Sequence, residues 1–318
     1  MQGEEFVSFV VIAYNEAANI AATMCAITAL HGLEKYEVLV VDDGSRDGTA
    51  DIVAAFAEHE PSVRLIRLPE NRGRGHARAV GVAEARGNLI ATVDADIILP
   101  RDWLIRARSA LHGHDAVGGT AVPDGDVAYL HRRFGLTPRV RPHAATVTGS
   151  NGLYRSKVFT AVRFDPALRE GEDVALNHAI VRHGLSCATV PGLIVEHKET
   201  KRWGESLRWM FDSGRGATRQ LLVYRQLRQP DLAAGAFVAA VGAGMLAASR
   251  KHPATGMLIP AVVVGAASVQ HVRSRFYTPG ADWRRVIPAI AADSGLLTAY
   301  FAGRFAGLAA VRRRLGQR

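Results

Sequence analysis

Two aspartates one residue apart, Asp94 and Asp96, close the apolar run ATVDAD at residues 91–96. In a strand, alternate side chains point the same way, so this spacing at the end of a buried strand can aim both carboxylates into one crevice. Hard oxygen ligands placed there invite a divalent cation such as Mg2+ or Mn2+. The spacing is short enough to arise by chance, and Asp124-Gly125-Asp126 repeats it inside a Pro/Gly loop. Context separates the two: the second pair follows no such run and has no acidic companions in series, and it is set aside.

The same logic marks other polar groups at the ends of apolar runs. FVSFVVIAY (6–14) has strand length and β-branched composition, and Tyr14 and Glu16 flank Asn15, a cap for a helix beginning at Glu16. In YEVLVVDDGS (36–45) the run Val38 to Val41 is too hydrophobic for a half-exposed strand, and it breaks into Asp42 and Asp43. Adjacent acids there are costly without a ligand or backbone donors, and one of them could accept hydrogen bonds from a nucleoside base or ribose. A helix to about Glu58, a strand over Val63 to Leu68 and the segment ENRGRGHARAVGVAEARG (70–87) follow. No Gly stands three residues after Gly75, so the dinucleotide fingerprint is absent; Arg72, Arg74 and Arg78 could meet a diphosphate or remain solvated. Strands alternating with helices, with polar loops at strand ends, predict an α/β fold with a mostly parallel sheet and a ligand crevice at its carboxyl edge.

The order VVIAYNE, VLVVDDGSRDGT, NRGRGHARAVG and ATVDAD resembles the nucleotide-sugar-binding half of the family-2 glycosyltransferases, which have the glycosyltransferase-A fold. The resemblance covers about residues 6–210. It implies that Asp42 and Asp43 lie at the base and ribose of a nucleotide sugar, UDP being the expected nucleotide. It also implies that Asp94 and Asp96 serve ribose, metal and diphosphate, with Asp96 the preferred ligand of a Mn2+ or Mg2+ cofactor and Asp94 at the ribose or supporting the metal through water. TGSNGLYRSKVF (148–159) is similar to the family's acceptor loop before a short helix. Glu172-Asp173, which alone would read as ordinary helix-dipole residues, match the family's catalytic pair. Asp173 is then the candidate base, and Glu172 orients the acceptor or is the base itself. One base opposite the leaving group implies inversion at the anomeric carbon. His197 stands where many relatives carry a His near the diphosphate or metal, and a neutral imidazole is a workable ligand; a structural His is the alternative. Glu205, Arg208 and Trp209 keep the spacing of the Gln-x-x-Arg-Trp motif of processive synthases with Glu for Gln, which makes Arg208 a donor-side candidate and counts against processivity. Trp209 could stack on an acceptor sugar or anchor at a membrane interface.

The chain of 318 residues carries a net charge of +9, with only five Lys among its 39 basic residues, and a mean hydropathy of +0.04. Such a balance suits anionic partners, nucleotide diphosphates or lipid headgroups, or reflects an Arg- and Ala-rich composition. The charge is dispersed and no aromatic-interleaved basic motif appears, so nucleic acid is not the expected partner. Cys25 and Cys187 lack metal spacing and read as reduced packing residues, and no signal peptide opens the chain. After Pro230 the composition turns apolar, with uncharged stretches at 232–248 and 254–269 and a third at 288–311 that carries Asp293 and Arg304 and is the poorer span. This tail resembles the succinoglycan-type branch of the family, which acts on lipid-linked saccharides.

The expected organisation is a catalytic domain at 1–202, a basic amphipathic helix at 203–229 and a hydrophobic helical, membrane-associated region at 230–318. The expected function is an inverting, metal-dependent hexosyltransferase of polysaccharide or glycoconjugate synthesis at the cytoplasmic face of the membrane, using a saccharide or lipid-linked acceptor. A sugar-1-phosphate nucleotidyltransferase is the enzymatic alternative, although Ala13-Tyr14-Asn15-Glu16 stands where its Gly-rich basic loop would. An inactive scaffold of a membrane polysaccharide assembly is the non-enzymatic one.

Overall fold

The computed structural model describes residues 5–123, 125–140, 146–224, 229–250, 253–277 and 282–315. In chain order they form β1 (Val7–Ala13), α1 (Ile20–Thr28), β2 (Tyr36–Asp42), α2 (Thr49–His59), β3 (Val63–Arg67), α3 (Arg74–Glu84), β4 (Leu89–Asp94), β5 (Ile97–Ile98), α4 (Trp103–Leu111) and β6 (Ala116–Val122). Then come α5 (Gly125–Phe134), β7 (Thr137–Pro138), β8 (Asn151–Arg155), α6 (Val158–Ala161), α7 (Glu172–Arg182) and β9 (Cys187–His197). The remainder is helical, with α8 (Trp203–Tyr224), α9 (Gln229–Ser249), α10 (Pro253–Arg275) and α11 (Trp283–Leu315), interrupted by β10 (Phe276–Tyr277). Two compact units result, one of Met1–Val122 with Val140–Lys198, the other of Pro123–Arg139 with Glu199–Arg318.

The first unit is built on an eight-stranded sheet in the order β3-β2-β1-β4-β8-β6-β9-β5. β3, β2, β1 and β4 are parallel, β8 runs antiparallel to both β4 and β6, and β9 returns parallel to β6. The continuous apolar runs read in β1, β2 and β4 are explained by burial on both faces. Val7, Phe9 and Val11 pack with α1 residues Ile20, Met24 and Ile27 and with Trp103 of α4, while Val10 and Leu39, and Ile12 and Val41 with Ala77 of α3, fill the opposite face. β6 is a strand that periodicity does not announce, because Gly118 and Gly119 interrupt it. A Cβ on Gly119 would lie 1.7 Å from the Leu193 carbonyl oxygen, so the approach of β9 requires glycine there.

Parallel pairing also sets the site. The register places Asp42 beside Ala13 and Asp94 beside Ile12, so the strand-end acids gather at one carboxyl edge. Two expectations are corrected here. β4 stops at Asp94, and Ala95-Asp96 form a turn before β5, so Asp94 and Asp96 do not share a strand face. The first helix begins at Ile20, four residues later than Glu16, after a turn over 17–19.

The second unit is organised by its own core, in which Val127, Leu130 and Leu136 bury with Met210, Val272, Phe276, Val286, Ala289 and Leu296. β7 and β10 pair antiparallel, which ties the 123–139 segment to the end of α10. Trp209 packs against Gly125 at the start of α5, inside this unit. Among the described residues the one helix long and apolar enough to cross a membrane is Trp283–Ala309, not either of the two stretches that the sequence favoured. It carries Asp293 and Arg304, both buried within the unit, while Trp283 and Ile287 on the same helix are exposed. Of the Asp124/Asp126 pair, Asp124 lies outside the described residues.

Candidate active site

The loops after β1 and β2 are stitched together by the side chains of the second motif. Ser45 Oγ accepts from the Asn15 amide at 2.8 Å, Thr49 Oγ1 from Glu16 at 2.8 Å and Asp47 Oδ2 from Ala17 at 3.1 Å. Asn15 sits in the left-handed region at φ 56°, an unfavourable conformation for a residue with a side chain, and its Oδ1 accepts from the Arg46 amide at 2.9 Å. This lattice holds Tyr14 exposed and Glu16 half-buried at the sheet's carboxyl edge, Glu16 also accepting from Asn19 Nδ2 at 2.8 Å.

Asp42 and Asp43 are both buried, but they face different partners. Asp42 Oδ1 caps the turn by accepting from the Ser45 amide at 3.2 Å. Asp43 accepts from the amides of Arg72 and Gly73 at 3.0 and 2.7 Å, so it holds the start of the Gly/Arg segment. Burial pushes the Asp43 carboxyl above its ordinary range, and those two amide hydrogen bonds only partly offset the shift.

Arg78 occupies the centre. It is 2% exposed and forms ion pairs through Nη2 with Asp94 Oδ1 and through Nη1 with Glu172 Oε1. The fork geometry of a guanidinium suits such a bridge, which a lysine could not make with the same two nitrogens. Gly149 makes room for it: a Cβ there would lie 2.5 Å from Arg78 Cζ. The Gly149 amide donates to Asp173 Oδ2 at 3.2 Å, and the Val174 amide donates to Asp173 Oδ1 at 2.7 Å. Glu172 and Asp173 thus open α7 after Gly171, with Glu172 turned inward and Asp173 half-buried. Tyr154 is wholly buried, and burial, with the Asp173 charge adding to it, raises its hydroxyl far above the ordinary phenol range.

Asp96 Oδ2 and His197 Nε2 lie 2.9 Å apart, brought together by the antiparallel pairing of β5 with β9. A carboxylate oxygen and an imidazole nitrogen converging in this way are a donor pair for a divalent cation and suit Mn2+ better than Mg2+, which prefers oxygen and water. Arg74 pairs with Glu170, and the exposed Arg72 leaves its side chain outside this network. Arg208 lies exposed on α8 in the second unit.

The structure therefore brings Asp94, Glu172 and Asp173 into one constellation through Arg78 and Gly149, and sets Asp96 with His197. Sequence reasoning named Arg78 only as one of three arginines for a diphosphate. The signal that could have separated it is its place four residues after Arg74 on the apolar side of α3, where Gly75, Ala77 and Gly81 are also buried. It also missed the link in which Trp103 Nε1 donates to Asn151 Oδ1 at 2.7 Å and Asn151 Nδ2 to the Leu193 carbonyl at 3.0 Å, which fixes the TGSNG turn on the sheet.

This sheet with acids at its carboxyl edge is that of a glycosyltransferase-A protein, and the chain belongs to glycosyl transferase family 2, whose sequence model matches residues 8–167. Among its relatives, the succinoglycan biosynthesis protein ExoO of Rhizobium meliloti is 38% identical over 208 residues, 58% of this chain and 58% of that protein. The glycosyltransferase AglE of Haloferax volcanii is 36% identical over 224 residues, covering 66% of this chain and 72% of that one. The chain thus spans little more than half the length of ExoO. Among solved structures, a mannosyltransferase from Pyrobaculum calidifontis in complex with GDP-Man and Mn2+ matches with a TM-score of 0.61 at 20% identity, over 96% of this chain and 88% of that one, a likeness of fold.

Proposed function

We propose that this protein is an inverting, metal-dependent glycosyltransferase that moves a sugar from a nucleotide diphosphate sugar, UDP-linked in the first instance, to a hydroxyl of a saccharide or lipid-linked acceptor. The observation that carries the reading is the Arg78 bridge, which joins the strand-end Asp94 to the acids that open α7. In the reaction the acceptor oxygen attacks the anomeric carbon as the bond to the diphosphate oxygen breaks, and the electron pair leaves with the diphosphate. The transition state is oxocarbenium-like, and a base must take the hydroxyl proton as the nucleophile commits. Asp173 is that base, its carboxylate fixed by the amides of Gly149 and Val174. Glu172, tied to Arg78, keeps α7 and β4 in step rather than meeting the proton. Asp96 and His197 would hold the divalent cation, which when bound neutralises charge on the departing diphosphate. Tyr14, Glu16 and Asp42 line the donor side, with Asp43 acting through the loop that it anchors, and Arg74 at the donor phosphates.

The apolar residues exposed on the second unit support a membrane contact. Met245 and Leu246 on α9, Leu258 and Val262 on α10, and Trp283 and Ile287 on α11 are exposed, Met245 by 70%. α9 and α10 pack closely enough that a Cβ on Gly244 would lie 2.4 Å from the Gly256 carbonyl oxygen, a small-residue hairpin whose outer faces are apolar. In the proposed reading this face rests on the cytoplasmic leaflet, where lipid-linked acceptors are held. Arrest in cell-surface polysaccharide or glycoconjugate synthesis would follow its loss.

The test is turnover of a panel of UDP-, GDP- and dTDP-sugars with Mn2+, with Mg2+ and with EDTA, alongside thermal shift, since a ligand that binds the folded state raises its melting temperature. Donor-dependent transfer or donor hydrolysis that disappears in EDTA is expected. Full activity in EDTA overturns the metal, and pyrophosphate release from a sugar phosphate and a nucleoside triphosphate overturns the reaction.

A further inference from the structure

Asp126, passed over in the sequence as a chance neighbour of Asp124, meets His271 and Asp293 inside the second unit. The three come from three helices, the first turn of α5, the last two turns of α10 and about the third turn of α11. His271 Nδ1 lies 2.8 Å from Asp293 Oδ1 and His271 Nε2 lies 3.4 Å from Asp126 Oδ2. One ligand atom from each residue can be chosen so that all lie within 4.8 Å of one another.

Acidic clusters are common, but Asp293 is not an ordinary member of one. It is 0% exposed, and its Oδ2 has no hydrogen-bond partner among the described residues. A carboxylate oxygen left unpaired in a water-poor interior costs several kcal/mol in general, so such an atom asks for a cation or proton. With the Arg275 charge also acting on the ring, the two carboxylates leave negative charge when the imidazole is neutral, the form that ligates a metal.

We propose that Asp126, His271 and Asp293 form a second divalent-metal site, separate from Asp96 and His197, that takes Zn2+ or another ion of borderline hardness. One nitrogen and carboxylate oxygens suit such ions better than Mg2+, which prefers oxygen and water. The ion acts as a cross-link among α5, α10 and α11, and would bind more weakly as pH falls because the ring must give up a proton to ligate. Its seat explains how α11 tolerates a buried carboxylate at Asp293.

The experiment uses the full chain without nucleotide, after chelation and dialysis, with the Asp96→Asn substitution as background to remove the other candidate site. Zn2+ is titrated with metal content read by mass spectrometry, Co2+ is followed by its visible absorption, and melting temperatures are recorded with and without Zn2+. We expect one tightly held equivalent, a Co2+ spectrum and a rise of several degrees, all abolished by His271→Gln and by Asp293→Asn. Asp126→Asn, at a partly exposed position, gives a folded variant with at least tenfold weaker binding. Absence of stoichiometric metal in the parent chain, or binding that survives all three substitutions, overturns the proposal and leaves the triad a proton-bridged ion pair.

Discussion

Arg78 and Glu172 stand 94 positions apart in the chain and form an ion pair sealed from solvent, with side-chain exposures of 2% and 3%. Since Arg78 also reaches Asp94, a single guanidinium ties the start of α7 to the end of β4. Buried pairs of this kind add little net stability over apolar replacements, but removing one partner strands the other.

Arg78→Ala would leave Glu172, whose Oε2 already lacks a partner among the described residues, as an uncompensated buried acid. A loss of about 3–5 kcal/mol in urea unfolding is expected. Arg78→Lys keeps the charge but not the fork, and should recover part of the stability while transfer activity stays low. Wild-type stability in Arg78→Ala would show that the bridge carries no weight.

Gly149→Ala tests the same bridge from the other side. The added Cβ would fall 2.5 Å from Arg78 Cζ, and the guanidinium, being the end of a flexible side chain, would move. The cost in stability should stay within about 1–3 kcal/mol. Displacing the groups that place Asp173 and Asp94 should lower turnover by about 10²-fold, and steady-state kinetics would read it. An unaffected kcat would separate Gly149 from the site.

Much of the first unit was legible because parallel strands buried on both faces are written as unbroken apolar runs, and the costly acids at their ends have little reason to be there except a ligand or a turn. Asp42, Asp43 and Asp94 were found in that way. The second unit resisted the same reading. Asp126 met its partners only through the packing of α5 on α10 and α11, at sequence separations that no local period can report. The stretch 288–311 was ranked the poorest span for its charges at Asp293 and Arg304, yet among the described residues that helix alone passes by length and composition, and both of those charged residues are buried. Asp94 and Asp96 showed the limit of period-two reasoning, since a strand that ends two residues before Asp96 gives the two acids different partners, Arg78 and His197.

Asp115 links β6 to the start of α6 by accepting from Lys157 Nζ at 2.6 Å, from the Ser186 amide at 2.8 Å and from Ser186 Oγ at 3.1 Å. The Lys157 hydrogen bond first, then the Ser186 amide, holds its carboxyl below the ordinary value of 3.8. With the folded-state value depressed, the unfolded chain binds more protons between the two values, so the contribution is present above the ordinary carboxylate range and is lost as pH falls through the folded value. Urea midpoints measured from pH 6 to pH 3 should fall less steeply for Asp115→Asn than for the parent chain. Parallel curves would remove Asp115 from the acid limb.

Asp173→Asn keeps the shape of the side chain and an oxygen for one of the two amides, Gly149 or Val174, which donate to different carboxylate oxygens, and removes the proton acceptor. General-base catalysis contributes about 10²–10⁴-fold, so kcat should fall within that range. Because Asp173 is assigned to the acceptor's hydroxyl and not to the donor, the Kd for the nucleotide sugar, read by thermal shift or calorimetry, should stay within about twofold, and slow hydrolysis of the donor by water should fall in parallel with transfer. Near-normal transfer with intact donor binding would move the base elsewhere, and Glu172→Gln would then be the variant to examine. A loss of donor affinity with kcat unchanged would instead place Asp173 on the nucleotide side, since an interaction made equally in ground and transition states changes binding and not the chemical step.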